Sequence, residues 1–419
     1  MRLTTSLAWK SARNRKSTAL LTIMTVAISV TLLLGVEKIR TQAKSSFANT
    51  ISGTDLIVGA RSGSVNLLLY SVFRIGNATN NIDWQSYQLI SQQSAVKWAI
   101  PISLGDSHRG FRVLGTNHSY FEHYRYGRKQ PLTFAQGQPF SSLFEVVVGS
   151  EVASKLGYQL GQEVVIAHGA GDVGFARHDK LPFKIVGILA PTGTPVDKTL
   201  HVSLQAIEAI HVGWESGANL GASPSAEQLQ QHQFEPKQIT AVLLGLKSKI
   251  QTFALQRQIN TYGKEPLSAI LPGVALHELW GMMEVAEQAL MSITIFVVFA
   301  GLLGMLTSML TSLQERRREM AILRAMGARP RHIFGLLISE AFAITFLGIC
   351  VGVIFTYLLV AALQPLIQQH YGIHITLIGL TDYEWALIGM VQLAGLVIGF
   401  IPALRAYRQS LSDGMTIRI

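Results

Sequence analysis

Between Gln314 and His332 the chain sets six arginines and two glutamates around Met320, Ile322, Leu323 and Met326. Guanidinium groups grip carboxylates and phosphates and rim protein interfaces, while Met and Leu fill apolar sockets. The chemistry on offer is therefore recognition, not bond breaking. Two readings fit: a positive loop resting on anionic lipid, or an amphipathic docking helix for a cytoplasmic protein. Gly327 and Pro330 would end such a helix.

The 12 histidines suggest a second chemistry. His108, His118, His123, His168, His178, His201, His211 and His232 share one long segment, and His118 and His123 flank Glu122 in the run HSYFEHYRY. His370 and His374 lie further on. Imidazole and carboxylate together bind zinc or copper. No pair sits at a tight spacing on a convincing helix, and Gly372 interrupts the second pair, so no metal site is expected. The Tyr/Phe cluster reads as a packing face or a partner surface. A third chemistry, nucleotide binding, lacks its motif. Gly263-Lys264 is followed by Glu265 without the upstream glycine, and no G-x-x-x-x-G-K-[ST] occurs in the 419 residues. Gly161, Gly169, Gly171 and Gly174 read as turn residues.

The elements that must position these residues are membrane spans. With 49% hydrophobic and 14% charged residues the chain is unusually apolar. Ser17–Val36, Ala289–Leu313, Ala341–Leu363 and Ala386–Leu404 carry no charge at all. About 20 helical residues cross a hydrocarbon core, so each run is long enough to span. They hold almost no ionisable groups, which argues against an intramembrane hydrolase, and no catalytic residue is assigned. Ala300 and Gly304, Gly348 and Gly352, and Gly395 and Gly399 stand at the small-xxx-small spacing that lets helix backbones approach. Cys350 is the sole cysteine and lies within the third run, so no internal disulfide is expected.

The net charge of +10 is a topology signal. Residues 1–16, 314–332 and 405–419 together hold 14 basic and 3 acidic residues, leaving the rest of the chain near neutrality. Basic residues beside spans mark the cytoplasmic side, and nucleic acid is not expected as a partner. The expected order is a basic amphipathic helix at 1–16, a first span at 17–36 and an outer domain at 37–288. A second span at 289–313 and a cytoplasmic loop at 314–332 follow. A third span at 333–363, a short outer loop at 364–385, a fourth span at 386–404 and a cytoplasmic tail at 405–419 complete it. The first run exceeds the apolar core of a cleavable signal, so it reads as a retained anchor.

The outer segment reads as mixed α/β. Strands are expected at Glu145–Val148, Glu163–Ala167, Phe183–Leu189 and Ile239–Leu246. Helices are expected at Trp84–Gln93, Ser150–Lys155, Leu204–Ile210 and Lys249–Tyr262, with Asp83 and Ser203 as N-caps. The polar Ser216–Gln233 reads as a loop.

The run Glu319-Met-Ala-Ile-Leu-Arg-Ala-Met-Gly-Ala328 resembles the signature of FtsX/MacB-type ABC transporter permeases, the type VII family that includes lipoprotein-releasing LolC/LolE subunits. Glu340-Ala-Phe with Gly348 and Gly352, and Pro402-Ala-Leu-Arg-Ala406, are similar to that family's later spans. In the outer segment, VVVGSEVASKLGYQLGQEVVI (146–166), FKIVGILAPTGTPVDKTLHVSL (183–204) and Asp55-Leu-Ile-Val-Gly-Ala60 resemble its periplasmic core domain. The resemblance implies four transmembrane helices in a one-plus-three order around an α/β periplasmic domain, in a bacterial inner membrane.

It further implies a dimeric permease, from a second copy or a paralogue, bound to two copies of a cytoplasmic ABC ATPase. Glu319, Met320, Leu323, Arg324, Ala325, Met326, Gly327 and Ala328 would form the coupling helix that meets it. ATP and magnesium would sit on that ATPase and no cofactor on this chain. Because the chain begins almost at its first span, the ATPase is expected as a separate polypeptide. A periplasmic adaptor or lipoprotein is a possible further partner. The expected function is to couple ATP hydrolysis to movement of the outer domain for export or extraction of a substrate. The alternative is a non-transporting regulator of a periplasmic hydrolase. For Glu340, at the end of the third span, a functional role and a helix-packing role both stand open.

Overall fold

The computed structural model describes residues 16–169, 181–212, 226–232, 234–371 and 379–408. The basic N-terminal segment, Gly171, Gly174, His178, His374 and the tail from 409 lie outside the described residues, as does most of Ser216–Gln233. The chain divides into two compact units: one from the described parts of Met1–Gln42, Glu284–Leu366 and Ile375–Ile419, the other chiefly Ala43–Met283.

The first unit is helical. Its elements are α1 (Lys16–Thr50), α2 (Pro272–Glu315), the short α3 (Arg317–Ala325), α4 (Pro330–Tyr371) and α5 (Asp382–Arg408). All but α3 are long and apolar enough to cross a membrane. Helix is the form such runs take in lipid, because it satisfies every backbone polar group internally. Two helices outrun their apolar stretches: α1 continues past Val36 to Thr50, and α2 starts at Pro272, well before Ala289.

Small residues bring the helices together. A side chain at Gly348 would meet Val26 at 2.7 Å, and one at Gly352 would meet the Ala27 carbonyl at 2.8 Å, so α1 lies directly on α4. Gly395 abuts Thr345 and Gly399 abuts Ala341, joining α5 to α4. On α2 the expected pair is corrected. Ala300 and Gly304 are exposed, and a side chain at Gly304 would meet nothing nearer than Thr25, at 3.8 Å. The close approach is at buried Gly301, against Ser29 of α1. Ser29 also donates to the Val297 carbonyl (3.2 Å) and Thr22 to Ser308 Oγ (2.8 Å), interhelical bonds of the kind that hold spans together without a hydrophobic drive.

The second unit is a mixed sheet. Its main strands are β1 (Leu56–Ala60), β2 (Val96–His108), β3 (Phe111–Thr116), β4 (Phe134–Gly137), β5 (Glu145–Val148), β6 (Phe183–Leu189), β7 (Thr199–Ser203), β8 (Ala241–Leu246) and β9 (Leu267–Ile270). They lie in the order β9-β1-β8-β2-β3-β7-β5-β6-β4, with β3–β7 and β5–β6 parallel and the other pairs antiparallel. β1 and β8 are buried along their whole length, which requires cover on both faces. On the other half, Val146, Val148, Phe183 and Ile185 pack with Ala206, Ile207 and Ile210 of the helix Leu204–His211.

Several expected boundaries shift. Glu163–Ala167 is not one strand but two short ones, Glu163–Val164 and Ala167–His168, on different partners. Ile239–Leu246 breaks at Thr240, since Gln238–Ile239 pairs with Ile82–Asp83 instead of joining β8. The helix from Trp84 stops at Ser91, and Lys249–Tyr262 divides into a 3-10 turn, Lys249–Gln251, and a helix, Thr252–Asn260. Ser203 accepts from Ala206 N as an N-cap, whereas Asp83 occupies its cap position without a capping bond, its carboxylate accepting from Gln238 Nε2 instead (3.3 Å). Ala226–Gln230, expected as loop, is helical.

The two outer-domain motifs meet. Gly149 is pressed against the Val196 and Asp197 carbonyls, and its N–H donates to the Thr199 carbonyl at 2.9 Å. Asp197 accepts from Thr192 N (2.9 Å), Thr192 Oγ1 (2.9 Å) and Gly193 N (2.7 Å), closing the PTGTPVDK loop on itself. Burial pushes its carboxyl up from the ordinary range, and these bonds oppose that shift. Next to the loop, His201 is fully buried on β7. Its Nδ1 faces the Val147 carbonyl (3.4 Å) and its Nε2 has no hydrogen-bond partner.

Burial first, and then the Arg74 charge, push the His201 imidazole down to about 3. Its proton affinity in the unfolded chain is near 6.5. Between those values the unfolded chain binds the extra proton, so stability is full above about pH 6.5 and falls by at most ~1.4 kcal/mol per pH unit below it. Thermal unfolding of the full chain from pH 7.5 down to 4.5 should show the outer-domain transition dropping, with a shallower slope in His201→Gln. An equal slope in both would exclude His201 as the cause.

Candidate functional site

The inter-span segment is built by local capping. Met320 N–H donates to the Arg316 carbonyl (2.9 Å), which starts α3 one residue after α2 ends. At the other end Gly327 takes φ +94°, a left-handed geometry that an L side chain resists. Its N–H reaches the Arg324 carbonyl (3.0 Å) and that of Ala328 the Leu323 carbonyl (3.0 Å), the paired bonds of a Schellman cap. Pro330 then opens α4, where a missing N–H costs nothing.

The nine residues of α3 divide into two faces. Met320 (9% exposed) and Ala321 (7%) are buried, and Met320 packs with Leu313, Ile333, Leu337, Ala403 and Ala406. Met320 is thus a core residue of the bundle, which corrects its assignment to a partner surface. Leu323, Arg324 and Ala328 are half-buried. Glu319, Ile322 (52% exposed), Ala325, Met326 (72%) and Gly327 face outward. Glu319, Ile322 and Met326 recur at three- and four-residue spacing, so they form one stripe. Ile322, which is not among the expected contact residues, lies on this exposed stripe.

Arg316 anchors the whole segment. Its guanidinium makes two parallel bonds to Glu340, Nη1 to Oε2 at 2.9 Å and Nη2 to Oε1 at 3.1 Å, with side chains only 5% and 14% exposed. This bidentate fork is the strongest pairing a guanidinium makes. It ties the α2–α3 junction to α4, and for Glu340 it decides in favour of helix packing. Thr345, one turn further along α4, donates to Met305 Sδ at 3.4 Å, so the α2–α4 contact continues into the bundle.

A second ionic clasp joins the other ends of the spans. Lys38 of α1 sits 3.2 Å from Glu384 of α5, with side chains 8% and 2% exposed, and 5.1 Å above the Tyr357 ring of α4. Glu384 also accepts from Thr381 N (2.8 Å) while its own N–H donates to Thr381 Oγ1 (3.2 Å), a reciprocal cap. Sequence reasoning did not single out Arg316, Lys38 or Glu384. The available signal was opposite charges immediately flanking different charge-free runs.

Among the described residues no group of three or more His, Cys, Asp and Glu could hold a metal. His108 is engaged with the Val165 carbonyl (2.5 Å) and Tyr158 Oη (2.6 Å), His118 lies against Phe140, and His123 stacks on Trp98. Tyr120, Phe121 and Tyr124 of the aromatic run are core residues, so that run is a packing face. Gly161 and Gly169 have positive φ, as turn glycines do.

Comparison with known proteins fits this arrangement. The model of the MacB-like periplasmic core domain matches residues 19–262, more than half of the chain, and that of the FtsX-like permease C-terminal domain matches 291–411. The chain belongs to the FtsX/MacB-type ABC permease family of multi-pass membrane proteins, with a MacB-like α/β domain between its first and second spans.

A macrolide export ATP-binding/permease protein MacB of Wolinella succinogenes is 21% identical over 415 residues, covering 96% of this chain and 59% of its own length. A pyoverdine export ATP-binding/permease protein PvdT of Pseudomonas entomophila is 23% identical over 329 residues, 77% of this chain and 45% of its own. The chain therefore spans less than two thirds of these relatives. The periplasmic region of MacB from Actinobacillus actinomycetemcomitans covers 55% of this chain, and 94% of that structure is matched, at 12% identity and TM-score 0.35.

Removing one partner of a buried ion pair strands the other, at a cost of about 3–5 kcal/mol. Glu340→Gln should therefore lower the unfolding temperature of the detergent-solubilised chain markedly, and Arg316→Met/Glu340→Met should recover most of the loss. If Glu340→Gln unfolds at the wild-type temperature, the pair is not a structural anchor.

Proposed function

We propose that this chain is the permease component of an inner-membrane ABC export machine, and that α3 is the helix through which a cytoplasmic ATPase moves it. The observation that carries the reading is the outward stripe of Ile322 and Met326 beside Glu319, on a helix whose opposite face is locked into the bundle. An exposed apolar stripe edged by charge suits a groove on a protein partner. The basic segments at 1–16, 314–332 and 405–419 support placing the termini and α3 on the cytoplasmic side. The names of the relatives, which pair ATP binding with permease and export, support the coupling to ATP.

On this reading the ATPase is a separate subunit carrying ATP and magnesium, present twice around a permease dimer. Closure of the two ATPases pushes α3. Since α3 is joined to α4 through Arg316 and Glu340, the push passes into α4, and through the glycine contacts of α4 into α1 and α5. The machine then acts as a transmitter of movement to its outer domain, not as a pore.

Ile322→Asp/Met326→Asp should abolish co-purification of the partner ATPase with this chain while leaving expression and membrane insertion unchanged. A Met320→Leu control, which alters only the inward face, should retain the ATPase. Undiminished co-purification of the double variant would refute the docking assignment.

A further inference from the structure

The outer domain holds a cationic cavity apart from α3 and its anchor. It measures about 280 Å³ and is lined by Arg74, Asn77, Asn81 and Arg112 together with Gly76 and Gly105. Among its described lining residues there is no Asp or Glu.

The backbone leading into it is unusual. Leu69–Phe73 forms a π-helical turn, and the next residue, Arg74, takes φ +61°, a left-handed conformation costly for a residue with a Cβ. π turns gather at functional sites, and strained non-glycine residues persist only where surrounding structure enforces them. Here the two distortions together carry one arginine into the cavity wall.

The charges there are uncompensated. Arg74 bonds the Ser71 carbonyl and lies beside the Tyr120 hydroxyl, its Nε is buried with no hydrogen-bond partner, and none of the ion pairs among the described residues involves it. Arg112 donates to the Gly76 carbonyl (3.1 Å) and likewise has no described acid partner. Burial pushes Arg112 down from the usual guanidinium range, as expected for a cation held without a counter-charge. The Asn81 side-chain oxygen accepts from Thr240 Oγ1 (3.3 Å), which leaves its NH₂ group for a ligand.

Two guanidinium forks and side-chain amides, with no carboxylate, call for an acceptor-rich ligand of two negative charges. A phosphate monoester is such a group near neutral pH. We propose that this cavity binds a phosphate monoester through Arg74 and Arg112, with Asn77 and Asn81 donating to its remaining oxygens. The ester is either a small soluble one or a lipid headgroup exposing the same group.

Binding should be measured on the full chain by calorimetry, with glycerol 3-phosphate in detergent and with nanodiscs of phosphatidic acid against phosphatidylcholine. Arg112→Gln and Arg74→Asn are the variants, Asn being tolerant of the left-handed backbone. Saturable binding of glycerol 3-phosphate supports the proposal with a soluble ligand. Saturable binding of phosphatidic acid discs alone supports it with a headgroup. In either case both variants should bind about tenfold more weakly or worse, since each loses charge-assisted bonds. No saturable binding of either probe, or wild-type affinity in both variants, would overturn it.

Discussion

A guanidinium and a carboxylate taken out of water must satisfy each other, and the fork between Arg316 and Glu340 does so where a short amphipathic helix meets the bundle. Without it, α3 would hang between α2 and α4 on one buried methionine and a neighbouring alanine. With it, three consecutive elements share a fixed junction: the end of α2, the start of α3 and α4 at Glu340. The apolar stripe of α3 can then face outward without the helix rolling over to bury it, as the hydrophobic effect alone would favour. Exposure of Ile322 and Met326 is in this sense a consequence of the ion pair.

The rest of the helical unit extends that junction by close packing. Lipid supplies no hydrophobic drive between helices, so contact depends on small residues and interhelical hydrogen bonds. Gly348 and Gly352 on one face of α4 receive α1, while Thr345 and Ala341 meet the glycines of α5. α4 is the shared neighbour in each contact, and it is also the helix that carries Glu340. At the opposite end, Lys38, Tyr357 and Glu384 close α1, α4 and α5 with a second desolvated charge pair. The bundle is thus clasped ionically at both ends and seamed by glycine between.

The spans were legible because charge-free runs of helical length have few other uses. Strands Glu145–Val148 and Phe183–Leu189 were legible to the residue, since β-branched runs bounded by turn residues leave little choice. The long β2 was not legible because Pro101 and Gly105 interrupt its pattern and its burial does not alternate, residues 100–102 and 106–108 being buried in consecutive runs. The small-residue spacing on α2 signalled close packing but not which way the helix was turned, and Gly301 rather than Ala300 proved to face α1. Met320 illustrates the same limit. Every apolar residue of a short amphipathic helix looks equally able to bind a partner until the bundle claims some of them. Pairs such as Arg316–Glu340 depend on tertiary register, which spacing along one chain does not encode.

The Arg316–Glu340 pair fixes the orientation of α3 on the bundle. Pulsed electron–electron resonance between nitroxides at Met326 and Tyr407, both exposed, reports that orientation directly. The distance distribution should be narrow in the otherwise unaltered chain, broad in Glu340→Gln, and narrow again in Arg316→Glu/Glu340→Arg. A distribution that is equally narrow in Glu340→Gln would contradict it.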